Sequence, residues 1–187
     1  MAVTKIGTQE TEAFKREINQ RVHDLVEKCY QCGKCSAGCP IANEMDLMPN
    51  QVMRAAQLGL KDEAVRSRSI WLCASCVTCT TRCPQEVDIA GVMEALRHIA
   101  TEEGLEPPPE VKHVQTFTRA FLRSVRRRGR IFEPGMVMGF NLASRQPLKD
   151  AGKGGKMFFK GKLNLLPRGI KDTRKIKRIF QRLVPKL

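Results

Sequence analysis

Apolar residues recur at helical spacing along most of this chain. Between residues 8 and 28, Phe14, Ile18, Val22, Leu25 and Val26 fall on one face, with Thr8 as N-cap and Glu10 and Glu12 in the first turn. That pattern predicts an amphipathic helix delivering the chain to Cys29. A second helix is expected from Pro49, with Val52, Met53, Ala56 and Leu60 on its face and Gly59 closing it, then a short one over Lys61–Arg66. Asp88 is set to cap a helix reaching about Glu102, with Ile89, Val92, Met93, Leu96, Ile99 and Ala100 as its buried stripe and Gly104 beyond. Nothing alternates with period two over any length, so strands are not expected.

Pro107-Pro108-Pro109 is a stiff break and divides the chain into residues 1–106 and a C-terminal extension, 107–187. In the extension, Val111, Val114, Phe117, Phe121, Leu122 and Val125 predict a helix over 110–128. Ile176, Ile179, Phe180 and Leu183 behind Asp172 predict a basic amphipathic helix over 172–184. Between them lie much Gly and Pro and scattered Phe132, Met136, Met138, Phe140, Phe158 and Phe159. Such a stretch is expected to lie across a partner rather than bury a core of its own. The fold class expected is mainly α, with an extended, partly helical basic tail.

The candidate chemistry is in the cysteines. Cys29-x2-Cys32-x2-Cys35-x3-Cys39-Pro40 repeats 44 residues later as Cys73-x2-Cys76-x2-Cys79-x3-Cys83-Pro84, and these runs hold all eight cysteines. The spacing is that of bacterial-type [4Fe–4S] clusters, whose fourth cysteine ligates the other cluster. Three cysteines at successive short intervals wrap three corners of one cube. The proline after the fourth turns the chain away, so its sulfur points at the neighbouring cube. The expected ligands are Cys29, Cys32, Cys35 and Cys83 for cluster 1, and Cys73, Cys76, Cys79 and Cys39 for cluster 2. Zinc is the alternative, but structural zinc takes two cysteine pairs, not three cysteines in series. Disulfides would close strained small rings. Trp71, just before the second run, is expected to shield cluster 2.

Charge sharpens the division. The formal net charge is +14. Residues 1–110 hold 12 Lys and Arg against 16 Asp and Glu, whereas 111–187 hold 21 against Glu133, Asp150 and Asp172. Two oxidised cubanes with their thiolates would make the first part more negative by about −4 in total. The basic tail suits docking onto a partner; binding to nucleic acid or to a membrane surface is an alternative of lower weight, since no nucleic-acid module accompanies the charge. No apolar run reaches the roughly 18–20 residues of a bilayer span and no apolar leader segment opens the sequence, so a cytoplasmic location is expected. Gly152–Lys156 is not a phosphate loop, because Asp150 and Met157 stand where Gly and Ser or Thr belong. His23, His98 and His113 have no partner pattern, and no glycine fingerprint for a flavin or nicotinamide is present. No catalytic residue is expected: the chain reads as a relay with every iron ligated by protein sulfur.

Two four-cysteine runs joined by a helical segment, with Gln57-Leu-Gly-Leu60 and Ser69-Ile-Trp-Leu-Cys-Ala-Ser-Cys76, resemble the α-helical ferredoxin module. That module occurs in succinate dehydrogenase, fumarate reductase, glycolate oxidase and heterodisulfide reductases. Cys29-Tyr-Gln-Cys-Gly-Lys-Cys-Ser-Ala-Gly-Cys-Pro40 and the stretch before Cys73 are most similar to the C-subunit family of CoB–CoM heterodisulfide reductase. The resemblance covers about residues 10–105. It implies an electron-transfer component of a methanogenic complex. Electrons would pass from a flavin- and iron–sulfur-containing A subunit to a catalytic B subunit that reduces the CoM-S-S-CoB heterodisulfide. An iron–sulfur component of the succinate, fumarate or glycolate oxidase type is the alternative, although only 28 residues precede Cys29, where dehydrogenase subunits carry a further [2Fe–2S] domain.

Overall fold

A computed structural model describes residues 6–183 other than 148, 150, 162–165 and 168. Asp150, the side chains of Phe158 and Leu183, and the chain after 183 lie outside the described residues. The chain forms two compact units, Met1–Lys112 and His113–Leu187. No strand occurs among the described residues, and the mainly helical fold read from periodicity is the one found.

The first unit contains α1 (Gln9–Val22), α2 (Lys34–Ala37), α3 (Pro49–Leu58), α4 (Lys61–Arg66), α5 (Ser69–Leu72), α6 (Thr78–Thr81) and α7 (Ile89–Glu102). At its centre is α7, which packs on α1, α3, α4, α5 and α6. Ile89, Val92, Met93, Leu96 and Ile99 are buried along α7, facing Phe14, Ile18, Val52, Met53, Val65, Ile70 and Trp71. Each such side chain contributes about 1.5–3 kcal/mol by leaving water. The predicted caps are present: Thr8 accepts from the Thr11 N–H, and Asp88 accepts from the Gly91 N–H. Gly59 closes α3 at φ +69, and a Cβ there would lie 2.7 Å from the Thr11 Cα, so the position needs glycine on two counts.

One helix differs from its expected length. α1 stops at Val22, with His23 left-handed at φ +53. The Asn19 side chain accounts for the stop: its Oδ1 accepts the Val26 N–H at 3.0 Å, and its Nδ2 donates to Glu27 at 2.9 Å. The chain turns, Val26 enters the core, and Leu25 is left exposed rather than on the buried stripe. A 3-10 turn, Val26–Lys28, then leads into Cys29.

The second unit contains α8 (Lys112–Arg128), which begins at the last residue of the first unit, then α9 (Glu133–Ala143), α10 (Ala151–Phe159) and α11 (Thr173–Leu183). The stretch from 130 to 171 is therefore more helical than its Gly and Pro content suggests. Pro134 sits in the first turn of α9, where the missing N–H costs nothing. Phe117 and Phe140 meet edge to face at 5.7 Å, the Phe132 N–H donates to Ser124 Oγ at 2.9 Å, and the Arg128 guanidinium lies over the Phe132 ring at 4.9 Å. Buried side chains are few here, whereas Phe121, Met138, Leu142 and Ile179 are exposed. Among the described residues, no helix is long and apolar enough to cross a membrane.

Candidate metal centre

The two cysteine runs fold alike, position for position. Gln31 (φ +64) and Gly33 (φ +77) flank Cys32 in the left-handed region, and Ser75 (φ +49) and Val77 (φ +62) flank Cys76. α2 over Lys34–Ala37 matches α6 over Thr78–Thr81. The Cys39 carbonyl accepts from Ala42 and the Cys83 carbonyl from Glu86. The left-handed residues on either side of the second cysteine bend each run out of regular helix or strand.

Each run is tied to the helix that follows it by a hydroxyl. Ser36 Oγ accepts the Asn50 N–H at 3.0 Å, and Thr80 Oγ1 accepts the Ala90 N–H at 3.0 Å; Asn50 and Ala90 are the second residues of α3 and α7. Ser36 donates in turn to Asn50 Oδ1 at 2.6 Å, and Thr80 to Asp88 Oδ1 at 3.0 Å. Further back, those helices reach the start of each run. Gln57 Nε2 donates to the carbonyls of Val26 at 3.0 Å and Cys29 at 2.6 Å. Arg97 donates to the carbonyls of Ile70 at 2.8 Å and Cys73 at 2.9 Å. Sequence reading gave Gln57 no structural role and did not single out Arg97. They stand 40 residues apart, outside the 44-residue cysteine register, and match only when each is counted from its own helix start, as the ninth residue of α3 and of α7.

Two carboxylates fix the approaches. Asp46 accepts from the Arg68 N–H at 2.9 Å, the Ser69 N–H at 3.1 Å and the Ser69 hydroxyl at 2.7 Å, holding the start of α5 just before Cys73. Burial alone would raise its pKa, but these donors and the Leu47 N–H outweigh burial and leave it below the ordinary carboxylate value. Asp24 is likewise raised by burial yet lowered overall by Lys28 and the N–H groups of Leu25 and Asp88.

The sulfurs gather in two groups. Cys39, Cys73, Cys76 and Cys79 line one hollow, walled by Ile41, Met45, Pro49, Val77, Ala90 and Met93. Trp71 is buried in the core but is not among the residues lining that hollow. At the other group, lost hydration and then negative charge at Cys32, Cys83 and Cys29 hold the Tyr30 hydroxyl above its ordinary pKa. Burial pushes up the Cys35 thiol, and Cys29 adds to the rise. Cys39, the fourth cysteine of the first run, thus stands with the first three cysteines of the second. Cys32 and Cys76, at matching positions, are exposed, and Cys35 is buried. Gln31 Nε2 donates to Cys29 Sγ at 3.5 Å, and Cys76 Sγ lies 3.4 Å from Thr78 Oγ1, a contact that lowers the Cys76 pKa.

Among the described residues, no three His, Cys, Asp or Glu side chains converge on a point for one metal ion. Cys39, Cys73, Cys76 and Cys79 line a hollow instead, and separate iron corners need ligands spread in this way. Soft thiolates on all sides and apolar walls suit such a group. The fold and this donor set define a helical iron–sulfur protein with two [4Fe–4S] clusters, and residues 25–87 match the 4Fe-4S dicluster domain family. About half of the chain is similar to the C subunits of heterodisulfide reductases. It is 40% identical over 99 residues to the iron–sulfur C subunit of the CoB–CoM heterodisulfide reductase of Methanopyrus kandleri, covering 49% of this chain and 52% of that one. To the C subunit of the H(2):CoB-CoM heterodisulfide,ferredoxin reductase of Methanothermobacter thermautotrophicus it is 35% identical over 95 residues, 51% of each chain. To the iron–sulfur C2 subunit of the CoB–CoM heterodisulfide reductase of Methanocaldococcus jannaschii it is 37% identical over 93 residues, 50% of each. The chain thus matches about half the length of these curated relatives.

Proposed function

We propose that this chain is the electron-transfer component of a heterodisulfide reductase, with one cluster on Cys29, Cys32, Cys35 and Cys83 and the other on Cys73, Cys76, Cys79 and Cys39. The observation that carries the reading is the gathering of Cys39 with Cys73, Cys76 and Cys79 in one hollow, which supports the ligand exchange. Bound there, the clusters supply one-electron transfer with little rearrangement. The chain's own residues supply the rest. Thiolates of both runs hold the irons, Met45, Met93 and Ile41 keep water from one site, and exposed Cys32 and Cys76 bring one edge of each site to the surface.

All eight cysteines are committed as ligands in this scheme, so no thiolate remains to attack a disulfide. Bond chemistry then belongs to a partner. By similarity to the C-subunit relatives, electrons pass from a flavin-containing A subunit through this chain to a catalytic B subunit that reduces the CoM-S-S-CoB heterodisulfide. The setting is the cytoplasm, where thiols stay reduced. The second unit serves as the docking element, its exposed Phe121, Met138 and Leu142 acting as anchors and its many arginines and lysines as steering charges.

The test is to reduce the chain anaerobically, alone and within its purified complex, and add the heterodisulfide. Loss of the reduced-cluster EPR signal only in the complex supports the proposal. A signal that the heterodisulfide discharges in the isolated chain, or that the complex leaves untouched, contradicts it.

A further inference from the structure

The two halves of the cluster domain fold alike, which makes a charged difference at one shared, hydrogen-bonded position informative. Gln57 is the ninth residue of α3 and Arg97 the ninth of α7. Each donates to the carbonyl of the first cysteine in its run and to the carbonyl three residues before it. Backbone conformation and the Ser36 and Thr80 ties match as well. At this shared position one half carries a neutral amide and the other a guanidinium.

We infer that Arg97 sets a redox difference between the two clusters, its charge holding the one on Cys39, Cys73, Cys76 and Cys79 at the higher potential. This rests on the cluster assignment proposed above. A reduced cluster carries one more negative charge, so a fixed cation beside it favours reduction. Arg97 is only partly exposed and pinned by two carbonyls, and no carboxylate pairs with it among the described residues. Its charge is therefore not cancelled locally. Lys34 and Arg82 also stand within the runs, but both are exposed, where water and salt screen them. Asp46 and Asp88 stand on the same side and oppose the effect, since hydrogen bonds from neutral N–H and hydroxyl donors leave their charge in place; replacing Arg97 alone isolates its share. On the other side, Gln31 offers Cys29 Sγ one N–H at 3.5 Å. That dipole acts in the same sense on its own cluster, but it is partial where Arg97 is a full charge. Arg97 therefore draws an electron entering the pair toward its own side.

The test is an anaerobic redox titration of the full-length chain followed by EPR. The clusters are told apart by Cys32→Ala and Cys76→Ala, each of which removes one signal. Arg97→Gln, which copies the other half, is expected to lower the midpoint of the Cys76-dependent cluster alone. The expected shift in electron sharing is about tenfold or more toward the other cluster, equivalent to about 59 mV for one electron. Arg97→Lys keeps the charge and is expected to stay near wild type, which a merely structural role would not explain. Should Arg97→Gln lose iron, Gln57→Lys tests the same idea in the other half, raising the Cys32-dependent midpoint. Equal midpoints for Arg97→Gln and Arg97→Lys, or no rise in Gln57→Lys, would overturn the inference. Iron and sulfide content of the wild type tests the cluster reading separately.

Discussion

Gln57 Nε2 donates to the Cys29 carbonyl at 2.6 Å, joining the last turns of α3 to the first cysteine of the chain. The same side chain accepts from Gln31 at 3.3 Å, and Gln31 reaches Cys29 Sγ. Gln57→Leu keeps the bulk and removes both roles. Leaving the part-buried Cys29 carbonyl unpaired is expected to cost about 1–2 kcal/mol. The measurable outcomes are a lower unfolding midpoint and faster iron release to a chelator, with the Cys32-dependent cluster leaving first. Unchanged iron release would show that this amide does not hold the run.

Asp46 gives a prediction with a pH sign. Its folded pKa lies below the ordinary carboxylate value of about 3.9. A lowered acid pKa contributes stability that is present above the unfolded value and lost as pH falls through the folded one. Asp46→Ala is therefore expected to destabilise by about 1–2 kcal/mol at neutral pH, the usual size of a lost capping carboxylate. The gap between the two proteins should narrow in acid, once wild-type Asp46 is protonated. Denaturant unfolding at several pH values reads this directly, and a gap that does not change with pH speaks against the carboxylate's role.

Gly33 and Val77 occupy the same left-handed position in the two runs, at φ +77 and φ +62. A β-branched residue is disfavoured there by about 1–2 kcal/mol. Gly33→Val should thus destabilise by roughly that amount. Val77→Gly should not destabilise, since relief of the backbone offsets the ~0.4–1 kcal/mol cost of glycine's freedom in the unfolded chain. The pair is checked by thermal unfolding, and the opposite ordering would mean that Val77 is held by packing stronger than its strain.

Much of this was legible in the sequence because its signals are local. Thr8, Asp88, Pro49 and Gly59 mark helix ends through their own chemistry, and the apolar stripe of α7 declares itself by period. The cysteine repeat names its cofactor by spacing. What the sequence withheld depends on partners far along the chain. Gln57 meets Cys29 across 28 residues and Arg97 meets Cys73 across 24, and no periodicity announces a side chain that reaches a distant carbonyl. α1 ends early for a similar reason: Asn19 captures the Val26 N–H, seven residues on. In α9, Gly135 and Gly139 lower helix propensity, yet edge-to-face contact of Phe140 with Phe117 favours the helix.

Removal of His113–Leu187 is expected to leave both clusters in place, since the core around α7 and every cysteine lie in the first unit. Copurification with the catalytic partner should be lost. Anaerobic pull-down with iron analysis measures both, and a truncated chain that still binds stoichiometrically would assign docking to the first unit.

The proposed crossed pairing of cysteines underlies everything else, and single-cysteine variants test it most directly. In EPR of the reduced chain, Cys39→Ala is expected to disturb the same cluster signal as Cys76→Ala, and Cys83→Ala the same signal as Cys32→Ala. If Cys39→Ala instead matches Cys32→Ala, each run keeps its own fourth ligand and the account fails.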